Sequence, residues 1–275
     1  MVRALSPFRS EIVRSTYVQF TAPFSIVSAP IGRLSFSAPP PPRQDPDTVG
    51  YNTVFVKGDR MNLLTCSFET VGGSEDEADL NAIMDVSRLV PWDWDNWEAK
   101  DYIDTWDMEA GDWGPTYYVD VNLDTGTNRF VDQDLNPVDV VVKAGASLWL
   151  FHVGEDLENF TFAGQVATGV KGYTLVGGRM NLCGNPYPTS LNLNDPEQVV
   201  ITGATGWDWD AWEAKDYVDT WDFTTADWGP TYYYDNGQFA DQDLNPVDDT
   251  AIQAGAGFWY FATEDGVTLS FTGIK

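Results

Sequence analysis

The chain has 275 residues, with 42 acidic against 15 basic side chains, a net charge of −27 and a sequence pI near 4.1. A chain this acidic lacks the clustered Lys and Arg that neutralise phosphates, which argues against nucleic acid or an anionic membrane surface as a partner. At 43% hydrophobic and 14% aromatic it has the composition of a folded globular protein, and no apolar run reaches the length of a membrane span.

Residues 1–49 differ from the rest. They carry five Arg against Glu11, Asp45 and Asp47, a net +2, so all of the chain's negative excess lies beyond them. The Arg and Ser content has a superficial likeness to a transit peptide, but runs such as FSIV are too short for the core of a secretory signal. Residues 13–30 loosely parallel 170–186 and read as the opening of a degenerate third repeat. The run PPPPR at 39–43 reads as a stiff linker.

From residue 50 the sequence repeats itself, and a long repeat dictates architecture. WDWDNWEAKDYIDTWD at 92–107 and WDWDAWEAKDYVDTWD at 207–222 differ at two positions. DWGPTYY follows each block, then DQDLNPVD. Two modules are expected, at 50–166 and 167–275. Their openings, GYNTVFVKGDRMNLL and GYTLVGGRMNL, align on Gly-Tyr and Arg-Met-Asn-Leu. In the first module DEADLNAIMDV predicts a short helix. KDYIDTWD and TYYVD, with their counterparts, predict strands, and Gly114-Pro115 and Gly229-Pro230 read as turns before the second of these. Asp235-Asn236-Gly237 predicts a tight hairpin, where the first module has the longer tip VNLDTGTNR. AGASLWLF and AGAGFWYF read as central buried strands, and FTFAGQV and LSFTGIK close the modules. This predicts an all-β chain of two tandem homologous β-sandwich-like modules, each with seven or eight strands, behind a short N-terminal extension.

The set of GY-type openings ending in MNL, TYYYDNGQFADQDLNPVD, AGAGFWYF and FTFAGQV resembles uncharacterised tandem repeat modules of large secreted or surface-attached bacterial proteins. The resemblance covers residues 50–275 and extends loosely to 12–30. It implies an extracellular or cell-surface bacterial protein, all-β and non-enzymatic, and brings no catalytic residue.

Three constellations bear on chemistry. Trp92, Trp94 and Trp97, with Trp207, Trp209 and Trp212, lie in turn-like acidic stretches. In an extended chain Trp92 and Trp94 share a face and form a platform for a carbohydrate ring, with neighbouring Asp accepting hydroxyl hydrogen bonds. The competing reading is that these rings fill the core or the seam between modules. Asp132, Asp134, Asn136 and Asp139, with Asp241, Asp243, Asn245 and Asp248, have the alternating oxygens that begin many calcium loops, although Asp, Asn and Pro also build turns. Asp120, Asn122 and Asp124 add a similar spacing in the first module only. Glu98/Glu213 and Asp101/Asp216 are carboxylates of the kind a glycan hydrolase uses.

Cys66 and Cys183 read as buried thiols, although a bridge between the modules is conceivable. His152, whose counterpart is Ala262, reads as incidental. The expected function is a structural or adhesive protein, with glycan as the first ligand. The alternatives are a subunit that assembles with neighbouring copies into a fibre, sheath or surface layer by strand addition, and a glycan-active hydrolase.

Overall fold

A computed structural model describes residues 48–248 and 250–273. The N-terminal arm, the partial repeat at 13–30 and the proline run lie outside the described residues.

The first module contains β1 (Val49–Val56), β2 (Arg60–Thr65), β3 (Phe68–Glu69), β4 (Glu77–Asp79), α1 (Leu80–Ile83), β5 (Tyr102–Asp107), β6 (Asp112–Asn122), β7 (Thr127–Val131), β8 (Val141–Lys143), β9 (Ser147–His152) and β10 (Leu157–Val166). The second contains β11 (Val170–Thr174), β12 (Arg179–Gly184), β13 (Leu191–Asn192), β14 (Val199–Thr202), β15 (Tyr217–Asp222), β16 (Asp227–Asp235), β17 (Gln238–Ala240), β18 (Ala251–Ile252), β19 (Gly257–Ala262) and β20 (Thr268–Thr272).

The two modules share one plan. A five-stranded antiparallel sheet runs β2-β9-β5-β6-β7 in the first and β12-β19-β15-β16-β17 in the second. A three-stranded sheet, β1-β10-β3 or β11-β20-β14, supplies the other wall, and a two-stranded piece, β4-β8 or β13-β18, closes one side. Leu63, Ile103 and Leu150 from one sheet and Val54, Phe160 and Phe162 from the other are all buried in one core. The fold is therefore all-β and sandwich-like. It has ten strands per module, more than the seven or eight expected, because the sequence gives little sign of two- and three-residue strands. The helix shrinks to a single turn, capped by the Asp79 carboxylate, which accepts from the Asn81 N–H at 3.0 Å.

Two local readings are corrected. Gly114-Pro115 and Gly229-Pro230 lie inside β6 and β16 and are not turns. The reversal comes earlier, where Asp107 Oδ1 accepts from Glu109 and Ala110 N–H and Gly111 N–H donates to the Asp107 carbonyl. Pro is tolerated in the strand because the register slips between Asp104 and Trp106, a bulge that asks for no ladder donor there. The Thr105 hydroxyl donates to the Pro115 carbonyl at 2.8 Å instead. The Gly-Tyr pairs of the two openings also do not correspond. Tyr173 faces Leu269 in its sheet as Val54 faces Phe160, whereas Tyr51 faces Ala163. Tyr173 is accordingly 8% exposed and Tyr51 74%.

The modules meet across a pseudo-two-fold axis built from the ends of their large sheets. Trp149 packs edge-to-face on Trp221 (5.0 Å) and stands 6.0 Å from Trp228. Reciprocally, Trp259 packs on Trp106 (4.9 Å) and stands 6.3 Å from Trp113. At the axis the symmetry breaks. The Thr65 and Ser147 hydroxyls share a 2.7 Å hydrogen bond, and their counterparts are Gly184 and Gly257. A Cβ on Gly257 would lie 2.7 Å from Ser147 Oγ, and one on Gly184 would fall on Thr65. Side chains from the first module occupy the space that the second leaves empty, so the faces fit as an unlike pair. Ser147 Oγ–H donates to the Cys183 carbonyl (2.7 Å), and Tyr173 O–H reaches the Gly145 carbonyl (2.5 Å). Lys171 is ion-paired with Glu69 (3.0 Å) and Asp76. Cys66 and Cys183 are free and buried, and burial pushes the Cys66 thiol up to about 12.

Candidate functional site: the tryptophan hairpins

The acidic half of each tryptophan block folds into a small hairpin. Asp93 and Glu98 exchange backbone hydrogen bonds of 2.9 and 3.1 Å, and Asp208 and Glu213 do the same at 2.9 and 3.2 Å. Asp93 Oδ1 accepts from the Asp95 and Asn96 N–H groups, and Asp208 Oδ1 from those of Asp210 and Ala211. Hydrogen bonds from the Asn96 side chain and backbone hold the Asp93 carboxyl below its ordinary range, and the Ala211 N–H does the same for Asp208. Lys100 caps the turn between Glu98 (2.6 Å) and Asp93 (3.5 Å), and Lys215 repeats this with Glu213 (2.8 Å) and Asp208 (3.6 Å). The Trp92 N–H donates to the Val119 carbonyl at 2.7 Å, and that of Trp207 to Tyr234 at 2.9 Å, tying each hairpin to β6 or β16.

The turn forces Trp97 and Trp212 into left-handed backbone conformations, with φ of 54° and 53°. For a bulky L-residue this region is strained. It swings each ring back beside the preceding tryptophan. Trp94 and Trp97 stand 5.6 Å apart at 75°, and Trp209 and Trp212 5.7 Å apart at 72°. Both pairs are open to solvent, with 49% and 71% exposure in the first module and 50% and 71% in the second. Trp94 is oriented by its indole N–H, which donates to Asp120 at 3.0 Å, and Trp209 by Asp235 at 3.3 Å.

The exposed pair is thus Trp94/Trp97, not Trp92/Trp94. Trp92 and Trp207 are half-buried against Tyr118 (5.6 Å) and Tyr233 (5.4 Å) and act as the pedestal. Other tryptophans stand at the seam between the modules: Trp149 and Trp221 are buried there, whereas Trp113 and Trp228, at its margin, are about as exposed as Trp94. Tyr118 and Lys100, with their counterparts, belong to the site although nothing in the sequence singled them out, and Asp120 and Asp235, expected in a calcium-like spacing and a hairpin turn, serve it as acceptors for the indole N–H groups. The Trp-Tyr and Trp-Asp partnerships join residues 26 apart, beyond the reach of local pattern.

The acidic motif after β7 takes a different role. Asp132 Oδ1 accepts from the Asp134 and Asn136 N–H groups, and its carboxylate also takes the Asn136 amide. Leu135 supplies the left-handed residue, at φ 62°. Asp241, Asp243, Leu244 and Asn245 reproduce this turn. Asn136 and Asn245 lower the Asp132 and Asp241 carboxyls by backbone hydrogen bonding. Among the described residues no three His, Cys, Asp or Glu side chains are grouped to hold a metal ion. Asp134, Asp139, Asp243 and Asp248 are exposed, and Asp120 and Asn122 accept from Trp94 and from the Asp124 N–H. This geometry lends calcium no support. A chelator is expected to leave the melting temperature unchanged, and a drop of several degrees in EDTA would restore a metal to the account.

The acids considered for hydrolysis are also engaged. Asp101 is buried and accepts from the Val90 and Val153 N–H groups at 2.8 Å each, with His152 Nδ1 at 2.7 Å. Asp216 accepts from Thr263 N–H (2.9 Å) and Tyr260 O–H (3.1 Å). Glu98 and Glu213 are bound to the capping lysines. His152 is therefore a buried partner of Asp101 and not incidental.

Clefts of about 330 and 300 Å³ open beside Trp106 and Trp221, lined by Gly114-Pro115 and Tyr117 or by Gly229-Pro230 and Tyr232. They lie at the junction end of the sheets, away from the hairpins. The buried indole N–H groups of Trp106 and Trp221 find no oxygen acceptor, and edge-to-face packing offers them a ring face instead. No described helix is long and apolar enough to cross a membrane. Against family models, curated proteins and solved structures, the chain has no match.

Proposed function

We propose that this is a non-enzymatic, glycan-binding adhesive protein of the bacterial exterior, and that Trp94/Trp97 and Trp209/Trp212 are its binding platforms. The observation that carries the reading is the strained, exposed tryptophan in each hairpin. A bulky ring held at positive φ and largely in water, packed only edge-to-face on its neighbour, costs stability for little packing return, and strain of this kind collects at functional sites. Two edge-to-face indoles form an angled apolar surface suited to the CH face of a pyranose. The Trp94 N–H is already bound, so the platform offers stacking, with carboxylates at its margin for hydroxyl groups. Asp93, Asp95 and Glu98 and the overall charge of −27 disfavour acidic sugars, so the ligand is a neutral glycan.

A glycan array tests the reading. Wild type is expected to bind neutral glycans, and Trp94→Ala/Trp209→Ala to lose about tenfold or more in affinity. Equal binding by the variant would sink the assignment of the site. Assembly with copies of itself is the second reading. It is favoured by β1 and β11, each of which pairs with a single described strand and presents exposed Val49 and Tyr51 or Val170.

A further inference from the structure

The two platforms are equal, remote from the junction and rigidly joined. Equality is seen in the matching ring geometry, backbone angle and exposure. Remoteness follows from register. In β5, Tyr102 lies at the hairpin end, beside Phe151 and Tyr118, whereas Thr105 and Trp106 lie at the junction end, beside Leu148 and Trp113. Ser147 and Thr65, at the axis between modules, pair with each other at that same junction end. About 14 Å of strand therefore separates the two ends of β5. In β15, Tyr217 beside Tyr233 and Trp221 beside Trp228 repeat the arrangement.

Rigidity follows from the seam. Only residues 167–169 connect β10 to β11. The Leu64–Ala256 bridge, the hydrogen bond from Thr65 N–H to the Gly255 carbonyl (2.8 Å) and the two tryptophan clusters lock the modules together. A sugar ring seated on one hairpin is therefore separated from the other by about 14 Å of strand on each side of the junction.

We propose that the protein is a fixed-span bridge, in which the two hairpins engage separate strands of a polymeric neutral glycan and hold them together. This rests on the reading of the hairpins as glycan platforms. It adds that the ligand is polymeric and that cross-linking, not capture of a free sugar, is the activity. Two linked sites on an arrayed ligand gain about 10²–10⁴ in apparent affinity over one. A soluble fragment gains nothing, because it occupies each site alone.

The test uses the full chain with particles of cellulose, chitin, mannan and amylose and with the soluble hexasaccharide of each. Wild type is expected to be retained by at least one particle type and to clump a mixture of magnetic and fluorescent batches of it. It should also bind the matching hexasaccharide at two equivalents per chain. Trp97→Asn alone should bind one equivalent with unchanged affinity, stay folded by circular dichroism, and neither clump particles nor show the gain from linkage. Trp212→Asn should behave identically. Retention by single-site variants as tight as wild type, clumping by either of them, or one equivalent bound by wild type would overturn the bridge while leaving the glycan reading intact. Absence of wild-type retention by all four polymers would overturn both.

Discussion

Trp149→Ala is expected to cost about 3–5 kcal/mol, the usual range for removing a large ring from a packed interior. Trp149 is buried, and two tryptophans of the other module stand edge-on to it. In a unit of this size the loss lowers the melting temperature by about 10 °C. The effect should belong to the pair and not to the ring alone. A double-mutant cycle with Trp221→Ala should return a coupling above about 0.5 kcal/mol, since residues in contact are not additive. Wild type should also unfold in one calorimetric transition, because neither module buries this surface without the other. Two separate transitions, with Trp149→Ala shifting only one, would mean the modules are independent and the seam incidental.

His152→Ala carries the second large effect, about 3 kcal/mol, because it strips a buried carboxylate of its partner. The second module shows how the loss can be repaired. There Ala262 stands at the histidine position and Tyr260 stands where the first module has Leu150. The Tyr260 hydroxyl donates to Asp216 in place of an imidazole. Leu150→Tyr/His152→Ala should therefore recover most of what His152→Ala loses, as measured by chemical denaturation. Failure of the rescue would show that Asp101 needs charge and not merely a donor.

The same exchange predicts a pH dependence. Burial disfavours the His152 imidazolium, but the hydrogen bond and charge of Asp101, aided by the Glu155 carbonyl at 2.9 Å, outweigh burial and raise its value. A raised folded-state value means the ion pair contributes fully below the unfolded value of about 6.5. The contribution is lost as pH rises through the folded value. Wild type should thus lose stability across that window, and the Leu150→Tyr/His152→Ala variant should not.

Much of the fold was legible because it is local. Alternation and turn chemistry marked β5, β9 and β19, and Asn236-Gly237 marked the β16–β17 hairpin, with Asn236 at φ 46°. Gly114-Pro115 misled because turn formers also serve at a bulge, and only the partner strand reveals which. The shared Gly-Tyr misled because identity outweighed register. A shift of three residues in β11 puts Tyr173 in the core. At the site, the block containing Trp94 and Trp97 was identified, but not the pair that forms the platform. That pairing depends on the positive φ of Trp97, in a turn that the Asp93 side chain holds by accepting from the Asp95 and Asn96 N–H groups. The seam tryptophans were invisible as a seam, since the partners of Trp149 lie 72 and 79 residues away in the other module.

The most direct test of the hairpins as binding platforms is Trp97→Asn/Trp212→Asn, measured for melting temperature and for retention on neutral polysaccharide. Asparagine tolerates the left-handed region. Relief of about 1 kcal/mol of strain at each site should offset the lost contact with the neighbouring ring. The account predicts a melting temperature at or above that of wild type, with retention abolished. A protein that melts well below wild type and is retained as well as wild type would make these tryptophans structural and contradict the account.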